Sequence, residues 1–158
     1  MLTATQFDEL NEYDDGSCRD ITFSDLTLDQ AQKALSWLCD RYKINATAVT
    51  KDDSFQIDPN EFFGSTYNYM LIEATSDKEI VRRLQFFISE NKSGCFFLEL
   101  TFFPEDIDNQ NNGYIRFNQW LSDMDEKLNP QEYFVRYENA SWDFGDTSIT
   151  SGVIYHRY

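Results

Sequence analysis

Carboxylates are the commonest groups in this chain that could do chemistry: 28 Asp and Glu stand against 13 Lys and Arg, a formal net charge of −15. They fall in close sets, Glu105 with Asp106 and Asp108, Asp123 with Asp125 and Glu126, and Asp143 with Asp146. Two carboxylates held at the right separation can hydrolyse a glycosidic bond. With 28 acids in 158 residues, however, neighbouring carboxylates arise by chance, and the plain reading of such runs is a solvated face. His156 is the only histidine, so a Ser-His-Asp or Cys-His arrangement has a single possible base. Cys18, Cys39 and Cys95 lie far apart and form no C-x-x-C pair, which reads as reduced thiols rather than a metal or redox site. Asp143-Phe144-Gly145 spells a kinase tripeptide without the glycine-rich and catalytic loops that accompany it. P-loop and dinucleotide fingerprints are absent from the sequence. The residues point away from an enzyme, with a carboxylate-based one kept as an alternative.

One segment has ligand-like spacing. Asp108-Asn109-Gln110-Asn111-Asn112-Gly113-Tyr114-Ile115 places oxygen-bearing side chains at alternating positions, a glycine at the turn and an apolar residue after it. It resembles the calcium loop of an EF-hand over about twelve residues. The resemblance implies a cation held by Asp108 and its neighbours, but the closing position falls on Gln119, which offers no bidentate carboxylate. The preceding residues Phe96 to Phe103 read as a strand, where that family has a helix. The segment is expected to be an amide-rich turn starting a helix, and no metal or cofactor is expected.

The charge excess itself carries more information. Small soluble domains usually hold a net charge of roughly 2–8 in magnitude. An excess beyond that repels itself in the compact state and favours basic partners. It excludes direct nucleic-acid binding, which depends on Lys and Arg displacing counterions from phosphates. Aromatics make up 16% of the chain, with 14 Phe and 9 Tyr, which marks a folded protein and not an acidic disordered one. Acids mix with aromatics at Tyr137, Glu138, Trp142, Asp143, Phe144 and Asp146, and Glu105, Asp106 and Asp108 follow another strand end. Tyr and Trp anchor interfaces, and a negative rim speeds encounter with a basic protein. These nine residues are the expected partner-binding set. The expected function is an inhibitor that neutralises a basic partner, such as an immunity-type protein against a nuclease toxin. A nucleic-acid mimic that occupies a DNA- or RNA-binding groove is the alternative.

The elements that would position these residues follow from periodicity. Thr27 and Gln30 form a capping box, and Leu28, Ala31, Leu35, Leu38, Cys39 and Tyr42 then recur at helical spacing, predicting a helix over 28–42. Ser54 to Ile57 could form a short strand, and Tyr67 to Ala74 alternates as a buried strand does. Ser76 with Glu79 predicts a second capped helix carrying Ile80, Val81, Leu84, Phe87 and Ile88. Cys95 to Phe103 is the strongest strand signal. A third helix bears Phe117, Trp120, Leu121, Met124 and Leu128 and ends at Asn129-Pro130, before strands at Tyr133 to Tyr137 and Gly152 to Tyr158. Residues 1–20 read as acidic and turn-like. The chain is expected to form one α+β domain over 1–158, a mainly antiparallel sheet of about four to six strands packed against three helices. Its longest apolar runs are too short for a membrane helix, and Met1 to Glu12 lacks a signal-peptide pattern, so a cytoplasmic location is expected.

Overall fold

The computed structural model describes residues 1–12, 16–48, 51–58, 62–64, 69–90, 94–138 and 152–158. In chain order these form α1 (Ala4–Glu12), β1 (Arg19–Leu26), α2 (Leu28–Arg41), β2 (Lys43–Ala48), β3 (Lys51–Gln56), β4 (Tyr69–Thr75), β5 (Arg83–Glu90), β6 (Phe96–Phe102), α3 (Gly113–Leu128), β7 (Tyr133–Tyr137) and β8 (Val153–Arg157). All eight strands join one sheet in the order β3-β2-β4-β5-β6-β1-β7-β8, and every neighbouring pair is antiparallel. The class is α+β, and the sheet is larger than the four to six strands expected. No helix among the described residues is long and apolar enough to cross a membrane.

Alternation along the strands assigns the two faces of the sheet. On the first face Ile21, Phe23, Leu84, Phe86, Leu98, Leu100, Tyr133 and Val135 are all buried. α2 lays Ala31, Leu35 and Leu38 against that side, and α3 adds Phe117, Trp120, Leu121 and Met124. The α2 cap forms as expected: the Thr27 hydroxyl accepts from Gln30 N at 3.2 Å, and Thr27 N donates to the Gln30 side chain at 2.8 Å. The two helices meet at Trp37 and Trp120, ring centroids 5.5 Å apart. The Trp120 indole donates to the Tyr42 hydroxyl at 3.0 Å, which donates to the Val81 carbonyl at 3.0 Å, so the buried polar tips are satisfied.

Two expectations are corrected. The segment read as a helix after Ser76 holds β5 instead. Leu84, Phe86 and Ile88 alternate toward the core while Phe87 points outward, 56% exposed. The preceding Ile80 and Val81 are buried by tertiary contact, with Asp108 N donating to the Ile80 carbonyl at 2.7 Å and Val81 bridging Ile107. Their apolar character therefore reflects pinning to the chain after β6 and not a helix stripe. The turn-like reading of residues 1–20 is also replaced, by α1 and the start of β1. A second threonine–glutamine cap opens α1, with Gln6 N donating to the Thr3 hydroxyl at 3.2 Å and Thr3 N to the Gln6 side chain at 2.8 Å. Leu2, Phe7 and Leu10 bury the helix, and Leu2 N donates to Asn118 Oδ1 on α3 at 2.8 Å.

Arg19 ties this N-terminal region to the sheet. Its side chain is wholly buried and donates to the carbonyls of Leu10 (3.1 Å), Ser17 (2.9 Å) and Cys18 (3.2 Å). The guanidinium also lies 4.5 Å from the centre of the Tyr137 ring on β7. A planar fork with five donors can serve α1, the 17–18 turn and β7 at once; an ammonium cannot. Arg19→Lys is expected to cost about 2 kcal/mol of stability, and Arg19→Ala about 3–5 kcal/mol, since buried carbonyls lose their donors. Urea unfolding checks this; a midpoint unchanged in both variants would contradict the assigned role.

Candidate functional site

The second face of the sheet differs in kind from the first. Register places Asn45, Glu73, Gln85, Thr101, Asp20 and Arg136 in one row running across β2, β4, β5, β6, β1 and β7. The adjacent row runs Phe87, Glu99, Thr22, Phe134 and His156 across β5, β6, β1, β7 and β8. The first row is polar throughout, and the second mixes rings with acid. Among the described residues no helix packs on this side. Exposure is graded: Asp20 and Arg136 are each 5% exposed, whereas Leu71 on β4 is 40% and Phe87 on β5 is 56% exposed.

Electrostatics on this face are unbalanced. Asp20 accepts a hydrogen bond from the Thr101 hydroxyl at 2.7 Å, and burial still pushes its carboxyl above the usual range. Burial, followed by repulsion from Asp20, raises Glu99 to about 6. Its hydrogen bond from the Thr22 hydroxyl is long, at 3.5 Å. Glu138 adds a third negative charge felt by Asp20. Arg136 attracts both Asp20 and Glu99, yet burial holds its own pKa below the normal arginine value. Among the described residues Asp20 and Glu99 thus share the field of the Arg136 guanidinium. At the far end, His156 stacks on Phe134 with centroids 4.2 Å apart and planes 10° from parallel, and its Nε2 lies 3.0 Å from Glu132. This arrangement fixes the ring between an aromatic and a carboxylate on the edge of the sheet.

Of the residues expected from sequence to bind a partner, Glu105, Asp106, Asp108, Tyr137 and Glu138 are among the described residues, and Asp106 and Glu138 both act on the Cys18 thiol. Asp106 pairs with Arg83 at 3.4 Å, and Asp108 with Arg82 at 3.1 Å and Arg116 at 3.0 Å. Glu105 and Glu138 are exposed, and Glu138 accepts from Cys18 N at 3.3 Å. Tyr137 packs on Arg19 and donates to Glu9 at 3.1 Å. Trp142, Asp143, Phe144 and Asp146 lie outside the described residues. In the calcium-like segment the one anionic side chain is the Asp108 carboxylate already held by two guanidinium groups, and Gly113 begins α3. Two of the three acids of α3 are likewise committed, Asp123 to Arg41 at 2.6 Å and Asp125 to Arg157 at 3.2 Å, while Glu126 is exposed. A shallow groove of about 440 Å³ between α2 and α3, lined by Trp37, Asp40, Arg41, Asp123, Glu126 and Lys127, carries both signs of charge.

No family model matches the sequence, and no curated protein matches it. Among solved structures, the chain is similar to one chain of the 1.75 Å crystal structure of the toxic C-terminal tip of CdiA from Pseudomonas aeruginosa in complex with immune protein. The TM-score is 0.51 at 9% identity, covering 77% of this chain and 86% of that one. At that identity the likeness is one of fold.

Glu99 makes a testable demand on stability. Its carboxyl titrates at about 6 in the folded protein against 4.5 for an ordinary glutamate, so between those values the folded state holds more protons than the unfolded state. The glutamate's effect on stability is therefore neutral below about 4.5 and increasingly unfavourable as pH rises through 6. With allowance for solvent screening at this half-buried site, Glu99→Gln should stabilise by on the order of 1 kcal/mol at pH 7.5. That is a rise of about 2–4 °C in Tm. Calorimetry at pH 7.5 and 4 checks the sign; an equal shift at both values would contradict it.

Proposed function

We propose that this chain is an immunity-type inhibitor that binds one basic protein and neutralises it, the partner being a toxin such as a nuclease. The observation that carries the reading is an under-neutralised acid and aromatic sheet face in a chain of net charge −15. A nuclease holds phosphates with clustered Lys and Arg, so an acidic face both steers encounter and rejects wrong partners. The similarity to a chain from a toxin–immune protein complex supports the same reading. Action is by occupancy and needs no catalysis, cofactor or metal. The second sheet face supplies the docking surface, with the exposed Glu105 and Glu138 steering from its margins. Trp142, Asp143, Phe144 and Asp146 remain proposed anchors on sequence grounds. A phosphate-mimicking stripe is the weaker reading, because the acids of this face alternate with Gln85, Thr101 and Arg136.

Affinity capture from a lysate of the native host at low salt, eluted with a salt gradient, tests the proposal. The expected outcome is one basic protein retained to high salt, whose toxicity on expression is relieved by co-expressing this chain. Many nucleic-acid-binding proteins released early, or a retained protein whose toxicity is unaffected, would contradict it.

A further inference from the structure

Most acids with described partners are already neutralised by cations of the same chain. Asp106 and Asp108 hold Arg83, Arg82 and Arg116, while Asp123 and Asp125 hold Arg41 and Arg157. Glu99 differs. Only the long Thr22 contact and the shared field of Arg136 offset its charge, and Asp20 opposes it. Arg136, shared between Asp20 and Glu99, is itself 5% exposed. Directly across the β5–β6 pair from Glu99 stands Phe87, 56% exposed. An apolar ring beside an under-compensated carboxylate matches a side chain with an apolar stem and a cationic head. The ring face also attracts the cation directly.

We propose that the surface between the Phe87 ring and the Glu99 carboxylate receives one arginine or lysine side chain of the basic partner. This rests on the reading that the chain binds such a partner, and it names where the first cation goes. The stem packs on Phe87, the head pairs with Glu99, and Gln85 one row away offers a carbonyl acceptor. The excess charge that destabilises the free fold then becomes binding energy in the complex, since the incoming cation relieves the repulsion between Glu99 and Asp20.

A tri-arginine peptide titrated into the full-length ¹⁵N-labelled protein tests the inference by NMR. Backbone shifts should centre on Phe87, Glu99 and Thr22. Glu99→Gln should weaken peptide binding roughly fivefold, as expected for loss of one half-buried ion pair, and Phe87→Ala should weaken it also. Phe87 is exposed, so the second variant tests the site without disturbing the core. Asp29→Asn, at an exposed position of α2 paired with Lys33, should leave the binding unchanged. Equal affinity in the wild type and both site variants, or shifts centred on the α2–α3 groove, would overturn the proposal. Failure of the underlying reading shows separately, as a wild-type protein that retains no basic protein at high salt.

Discussion

A sheet of eight antiparallel strands has two faces, and the described helices of this protein cover only one of them. That constraint governs the rest. The first face takes the aliphatic and aromatic residues of every inner strand and buries them under α2 and α3, where the hydrophobic effect supplies most of the stability. The second face must carry whatever the opposite strand positions contain. Because β-strand side chains alternate, each core residue such as Ile21 or Leu100 obliges a neighbour, Asp20 or Glu99, to project the other way. The polar face is thus a geometric consequence of the core. What is specific to this chain is the choice of acids and rings to occupy it.

Cations are few, and their placement separates stability from function. Arg19 is sealed inside, joining α1, the turn before β1 and β7 through carbonyl contacts and the Tyr137 ring. Arg41, Arg82, Arg83, Arg116 and Arg157 pair with carboxylates at helix and strand ends. These pairs, partly exposed as they are, contribute modestly to stability, but they decide where negative charge is left over. Among the described residues it is left over beside Arg136, which Asp20 and Glu99 share, with Glu138 adding repulsion at Asp20. A face arranged for stability alone would place a second cation or an amide there. Leaving the charge in place costs stability in the free protein and makes sense when a cation arrives from outside.

Much of the fold was legible in the sequence where local and tertiary demands agree. Thr27 with Gln30 announced α2, the apolar run of Leu98 and Leu100 announced β6, and Asn129-Pro130 marked the end of α3. The helix expected after Ser76 failed because Ile80, Val81 and Leu84 fit a helical stripe while serving a pinned turn and then a strand. Phe86, two residues after Leu84, carried the strand signal. α1 had the same threonine–glutamine cap as α2 at Thr3 and Gln6, hidden by the acidic composition around it. The candidate site was legible only as alternation within single strands. That Asp20 and Glu99 share a face depends on the β1–β6 register, a pairing of residues some eighty positions apart that no local pattern encodes.

Hydroxyl-radical footprinting of the protein, free and bound to its captured basic partner, tests most directly whether the second sheet face is the docking surface. In the free protein Phe87 and Leu71 on that face, and Ile115 and Leu28 on the helices, are all exposed and open to labelling. The account predicts that the partner protects Phe87 and Leu71 and leaves Ile115 and Leu28 labelled. Protection of Ile115 and Leu28, with Phe87 and Leu71 still oxidised, would place the partner on the helices and contradict it.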